Sequence, residues 1–263
     1  MRSIAEQSIA ELGGRVSVLT RQRSDHVTLN ELLERLGAAP TEQQDGVLLD
    51  IYRLVFPHAF AEESVLWPLM RRVLPDGGEL TLQVEREHQE VNELVTRLEQ
   101  VGLHSAGRQQ VLDRLVEVLS EDVRDEEDEL FPRLQMKVSV AQLRLLGLAW
   151  EVVRRIAPTR AHPVVARRPP GNVVAALPLT VLDRARDRLD MLTHRGAGRL
   201  NAPLRSLSET LTQAAHAVEH LPIMRRGEDS STRVERRPSA PWGTISLCVL
   251  AVVMAGFLLR KRR

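Results

Sequence analysis

A chain of 263 residues with 43% hydrophobic and 27% charged side chains can bury one sizeable core and is too apolar to be disordered. One Tyr and four Phe suit helices rich in Leu, Val, Glu and Arg better than aromatic strands, and the net charge of +1 hides an acidic crowd at 117–129 and an Arg excess from 154 onward. No aromatics interleave with the basic residues, which argues against nucleic acid as a partner, and the single cysteine, Cys248, excludes a disulfide framework and a cysteine-held metal.

The N-terminal residues carry Glu6 and Glu11 and no continuous apolar stretch, so they do not read as a secretory signal. Breaks at 37–40, 75–78 and 102–107 then divide the first half into four apolar-periodic stretches, predicting helices over 15–36, 41–73, 80–101 and 108–136. Pro57 is expected to kink or divide the second of these just before His58. Prolines 158, 163, 169, 170 and 178 with intervening arginines mark 158–178 as a linker. Two amphipathic patterns follow. Residues 179–192 alternate charge, and 204–221 place Leu204, Leu207, Leu211, Ala215, Val218 and Leu221 on one face, so 179–224 is read as a possible docking element for a protein partner. A polar tether, 225–241, leads to 242–260, where the uncharged run 243–259 lies between Trp242 and Arg260 and reads as a transmembrane helix. Without a signal sequence, that segment would be a single-pass C-terminal anchor leaving the bundle in the cytoplasm.

The strongest signal is a repeat. Residues 26–36 (HVTLNELLERL) superpose on 88–98 (HQEVNELVTRL), and 62–68 (EESVLWP) on 126–132 (EEDELFP), with offsets of 62 (26 to 88) and 64 (62 to 126). Two helical hairpins are therefore repeated in tandem. Each copy has a His near the start of one helix and a ligand pair four residues apart on the next, His58 with Glu62 and Asp122 with Glu126. Residues at i and i+4 share a helix face, so each pair can reach one ion. Packing the hairpins about a pseudo-twofold axis brings His26, His58, Glu62, His88, Asp122 and Glu126 to the bundle centre, enough for two metals with shared carboxylates. His and carboxylate ligands favour iron, with manganese or zinc as alternatives. Glu63 and Glu127 fall one residue off that face and read as supporting or surface groups. Leu66, Trp67, Leu130 and Phe131 read as core. His216 and His220 read as a peripheral pair, and His104, His162 and His194 as loop residues.

His26, His58-x-x-x-Glu62-Glu63, His88 and Glu126-Glu127 followed by Leu130-Phe131-Pro132 resemble the hemerythrin-type (HHE) cation-binding domain over about residues 19–134. Residues 158–163 and the Asp183-Arg184 pattern resemble extensions seen in bacterial members. The resemblance implies a four-helix bundle with a non-haem di-iron centre that binds oxygen or nitric oxide or senses iron and redox state. By position, it assigns His26, His58, Glu62, His88 and Glu126 as ligands, with Glu62 and Glu126 bridging. Asp122 departs from the family pattern, which has histidine there. A carboxylate makes the site more anionic, and its shorter side chain either binds through water or leaves a coordination position open.

The whole reading is an all-α fold: a four-helix up-down bundle from two tandem hairpins, with additional C-terminal helices and a terminal transmembrane helix. Its domains are 1–157 (bundle), 158–178 (linker), 179–224 (amphipathic segment), 225–241 (tether) and 242–260 (span). The expected function is a membrane-anchored protein holding two non-haem iron ions and binding oxygen, nitric oxide or peroxide as sensor, store or scavenger. The alternatives are a di-iron oxidase or peroxidase with an open site at Asp122, and a metal-free membrane scaffold.

Overall fold

The computed structural model describes residues 1–194 and 198–234, and all regular structure within them is helical. The first hairpin is α1 (Val18–Ala38) and α2 (Thr41–Ala61), which continues as a wide π turn, Glu62–Leu66, into α3 (Trp67–Val73). The second is α4 (Gly77–Gln100) and α5 (Arg108–Asp125), which continues as a matching π turn, Glu126–Leu130, into α6 (Phe131–Lys137). Then come α7 (Val140–Arg155), α8 (Gly171–His194) and α9 (Asn201–Glu219).

Pro57 does not divide the second helix: α2 runs through it to Ala61. The irregularity falls later, at the same place in both repeats. Pro68 and Pro132 each sit one residue into the next helix, where a proline ring would crowd the carbonyl four residues back. Widening the turn relieves that crowding, and the amides of Trp67 and Phe131 bond instead to the carbonyls of Glu62 and Glu126, five residues back. The two carboxylates therefore stand where each helix is locally unwound.

Two apolar clusters share the bundle and leave a polar layer between them. One holds Leu29, Phe56, Val91 and Val123; the other holds Leu19, Ala61, Val84 and Leu130. The polar residue lies between those two neighbours in each case: His26 on α1, His58 on α2, His88 on α4 and Glu126 directly after α5. Packing above and below thus fixes the helices that carry the site without supplying its polar atoms with partners.

The sequence reading leaves 137–157 without an element, whereas the structure makes most of it α7. A reciprocal capping box between Ser139 and Gln142 starts this helix. A Cβ on Gly147 would come 2.0 Å from the Val16 carbonyl oxygen, so only glycine lets the chain before α1 lie against it. The reward is Trp150, fully buried with its ring edge-on to His58 at 5.4 Å between centroids.

Residues 158–170 form an irregular strap, and α8 starts at Gly171, ahead of the expected start near Leu179, and runs through Pro178. The apolar faces of α8 and α9 pack largely on each other through Leu179, Leu182, Leu211, Ala214 and Ala215. His162, read as a plain loop residue, is buried in the strap. Its Nε2 lies 3.0 Å from Asp183 and its Nδ1 3.4 Å from Glu219, while its amide donates to Asn92 at 2.8 Å. Arg160 adds contacts to Asp187 at 2.8 Å and Asp190 at 2.7 Å. These pairs tie α8, α9 and the bundle together.

Burial alone would lower the His162 pKa, but Asp183 and Glu219 outweigh it and hold it at about 9. Burial would raise Glu219, but hydrogen bonds from His162 and His216 bring it to about 2. The raised histidine stabilises fully below its unfolded value of about 6.5 and loses this as pH rises through 9. The depressed carboxylate stabilises above about 4.3 and loses this as pH falls through 2. Hydrogen exchange in α9 should therefore be slowest, after correction for intrinsic rates, between about pH 4.3 and 6.5. Protection should fall by pH 9.5, and His162→Gln should remove that dependence. Equal protection of α9 at pH 6 and 9.5 in the unmodified chain would contradict this account.

The terminal membrane-spanning helix expected at 242–260 lies outside the described residues. Among the described residues no helix is long and apolar enough to cross a membrane. The long helices carry ionised side chains at short intervals, as α8 does with Asp183, Arg184, Arg186, Asp187, Arg188 and Asp190. Among the described residues the fold is an all-helical bundle without a membrane span, and the single-pass anchor, the membrane partnership and the cytoplasmic placement deduced from it are withdrawn.

Candidate metal centre

The centre is assembled from all four long helices of the two hairpins. His26 comes from α1, His58 from α2, His88 from α4 and Asp122 from α5, while Glu62 and Glu126 open the two π turns. His58 Nε2 lies 3.0 Å from Glu62 Oε1, and His88 Nε2 lies 3.6 Å from Glu62 Oε2, so one carboxylate faces both halves of the cluster. His26 Nε2 is 3.2 Å from Glu126 Oε2, and Asp122 Oδ1 is 3.7 Å from His88 Nε2. Two sets offer ligand atoms within 4.8 Å of one another: His26, His58 and Glu126, and Glu62, His88 and Glu126. Glu126 belongs to both, and Asp122 lies beside the second. All six positions named from the sequence are thus brought together.

Each histidine is aimed by a carboxylate on its other nitrogen. His26 Nδ1 meets Glu127 at 2.9 Å, His58 Nδ1 meets Asp25 at 3.1 Å, and His88 Nδ1 meets Glu63 at 3.1 Å. Such pairs fix ring orientation and present the Nε2 lone pair to a cation. Two of them cross between repeats, since Glu63 of the first copy holds His88 of the second and Glu127 holds His26. Asp25 was missed from sequence. Its signal is the acid that precedes the histidine in both copies, Asp25-His26 and Glu87-His88. Glu87 stands opposite Asp122, the position where Asp25 meets His58 in the first copy.

The donor set fits a metal. Glu62 Oε2, His88 Nε2, Asp122 Oδ1 and Glu126 Oε1 are buried and lack a hydrogen-bond partner, while His26 Nε2 and Glu62 Oε1 face only other members of the cluster. So many unsatisfied groups in one core would cost about 1–3 kcal/mol each if nothing filled the space between them. Without a cation the imidazoles carry the balancing charge. Burial opposes protonation, but Glu126 and Glu127 raise His26 to about 9, and Asp122, Glu63 and Glu62 raise His88 to about 10. Burial and then Glu126 push Asp122 well up, and burial and then Glu62 raise Glu126. Burial opposes ionisation of Glu62 as well, yet His58 and the other imidazoles bring it below the usual carboxylate range. A cation entering here displaces protons from the histidines.

A cavity of about 20 Å³ lies against the ligands themselves, lined by His26, His58, His88 and Asp122 with Asp25, and by Leu29, Leu54 and Leu119 on its apolar side. That is room for one water-sized molecule. On the opposite side Trp67 and Phe131 stack at 6.3 Å between centroids and close the floor against His88 and His26.

Buried histidines and carboxylates converging from four antiparallel helices define a cation-binding helical bundle. Residues 17–134 match the family model of the hemerythrin HHE cation-binding domain. The match covers a little under half of the chain and likens this part of it to a hemerythrin-like cation-binding domain. An uncharacterized hemerythrin-like protein of Schizosaccharomyces pombe is 27% identical over 134 residues. The alignment spans 51% of this chain and 66% of that relative, just under two thirds of its length. No solved structure matches the chain.

Proposed function

We propose that the bundle holds two non-haem iron ions and binds a small diatomic molecule or peroxide at them, acting as sensor, store or scavenger. His26 and His58 would hold one ion, His88 and Asp122 the other, with Glu62 and Glu126 shared. The observation that carries this reading is the set of buried, unpartnered ligand atoms around Glu62 and Glu126. They disfavour a metal-free scaffold, which would leave those atoms unsatisfied. Bound iron would supply reversible electron transfer and open coordination positions. The chain's own residues orient the imidazoles, through Asp25, Glu63 and Glu127, and exclude bulk water, through Leu29, Leu54, Leu119 and Trp150. The cavity of about 20 Å³ has room for little more than one water-sized molecule and leaves no space for an organic substrate, which counts against an oxidase acting on larger molecules.

Metal analysis and ultraviolet–visible spectra of the full chain, reduced and then exposed to oxygen or nitric oxide, test the reading. The expected result is about two irons per chain and gas-dependent absorption in the unmodified protein, with both diminished in His58→Ala. Protein grown with ample iron that holds no stoichiometric metal would refute the reading.

A further inference from the structure

The second hairpin carries a surface recess of about 1010 Å³ lined by the carboxylates of Glu87, Glu121, Asp125, Asp128 and Glu129. Met1, Gln83, Arg124 and Arg133 also line it. Arg133 is engaged by Asp76 at 2.5 Å and Glu129 at 3.1 Å, and Glu121 lies 3.6 Å from Arg114. Among the described residues, Glu87, Asp125 and Asp128 form no ion pair.

The recess is not an isolated acidic patch, because its inner wall is Glu87. One Glu87 oxygen, Oε2, is buried without a hydrogen-bond partner, and this side chain adjoins Asp122, whose Oδ1 is likewise buried and unpartnered. Asp122 Oδ1 is in turn 3.7 Å from His88 Nε2. The Gln83 amide, also in the recess wall, donates to Glu87 Oε1 at 3.3 Å and Asp125 Oδ2 at 2.9 Å, while Glu87 Oε2 and Asp122 Oδ1 stay open, so carboxylates follow one another from solvent to the buried centre.

Other approaches are unsuited to a cation. The pseudo-symmetric position of Glu87 is Asp25, and there the Arg154 guanidinium sits 3.1 Å from the carboxylate. Behind Glu63 stands Arg167, at 4.0 Å. The small cavity against the ligands has leucines on its apolar side. Positive or apolar groups flank three sides; on the fourth, five carboxylates outnumber Arg124 and Arg133, a distribution that favours a cation at that entrance.

We propose that this recess is the port through which a divalent cation enters the centre, passing from Asp125 and Asp128 to Glu87 and then to Asp122. The inference rests on the proposed metal centre and concerns how it is loaded. A neutral ligand reaching the leucine-lined cavity would use a separate path.

Stopped-flow uptake of Co²⁺ by the metal-free full chain, followed by the visible absorption of the bound ion, tests it. In low salt, Asp125→Asn/Asp128→Asn should slow uptake about 10-fold while the final Co²⁺ stoichiometry is kept. Salt should slow the unmodified protein more than the variant, because screening removes the same attraction. Glu87→Gln should also slow uptake. Asp113→Asn/Glu117→Gln removes equal charge elsewhere on α5 and should leave the rate within about 2-fold. An unchanged rate in Asp125→Asn/Asp128→Asn, or a loss matched by the Asp113 and Glu117 control, overturns the port. Absence of Co²⁺ uptake by the unmodified chain instead overturns the metal centre itself.

Discussion

Glu126→Ala should empty the centre, lowering metal content from about two ions per chain to less than about half of one. Glu126 is the residue present in both candidate ligand sets, so its removal takes one ligand from each half. It also leaves His26 Nε2 facing the cluster without the carboxylate now 3.2 Å away. The loss should not be mere unfolding, because the apolar clusters on either side of the polar layer remain intact. Far-ultraviolet circular dichroism of the metal-free variant should match that of the metal-free parent. Glu127→Ala supplies the contrast: it frees only the far nitrogen of His26 and should weaken metal retention by about 10–100-fold without abolishing it. Elemental analysis after gel filtration, with a graded chelator challenge, separates the two. Two ions retained in Glu126→Ala would eliminate its role as the shared ligand.

The offset of 62–64 residues between the two copies made the hairpins readable from sequence, because it aligns polar ligands as well as apolar faces. What escaped was what depends on neighbours across the bundle. Consecutive residues on a helix point about 100° apart, so nothing in Glu62-Glu63 says that Glu63 reaches back to His88 of the other copy. Asp25 was passed over because an acid beside a histidine is ordinary until a second helix places His58 against it. The π turns were hidden because Pro68 and Pro132 lie inside stretches read as single helices, 41–73 and 108–136, and apolar periodicity does not register one widened turn. Trp150 joined the site through α7, which depends on the closeness that Gly147 permits. The terminal span failed for another reason: it came from hydropathy alone, with no pattern of partners to check it against.

The same pseudo-symmetry makes Asp122→His an informative gain-of-binding variant. In the first copy His58 is held by Asp25; in the second, Glu87 already stands where such a carboxylate would be needed, facing Asp122. The wall that would receive an imidazole is therefore in place, and only the imidazole is absent. In the proposed centre, the half built on His88 and Asp122 would have one nitrogen ligand against two in the half built on His26 and His58. Nitrogen ligands bind late first-row divalent ions more tightly than carboxylates do, so the two halves should release metal at different rates. Chelator extraction should be biphasic in the unmodified chain, with the half at Asp122 leaving first. Asp122→His should slow that first phase by about 10–100-fold, and adding Glu87→Gln should return most of the gain, since a histidine without its orienting carboxylate binds less well. A single extraction phase in the unmodified chain would show that the two halves are equivalent despite Asp122. A gain in Asp122→His that survives Glu87→Gln would show that Glu87 does not orient the new side chain.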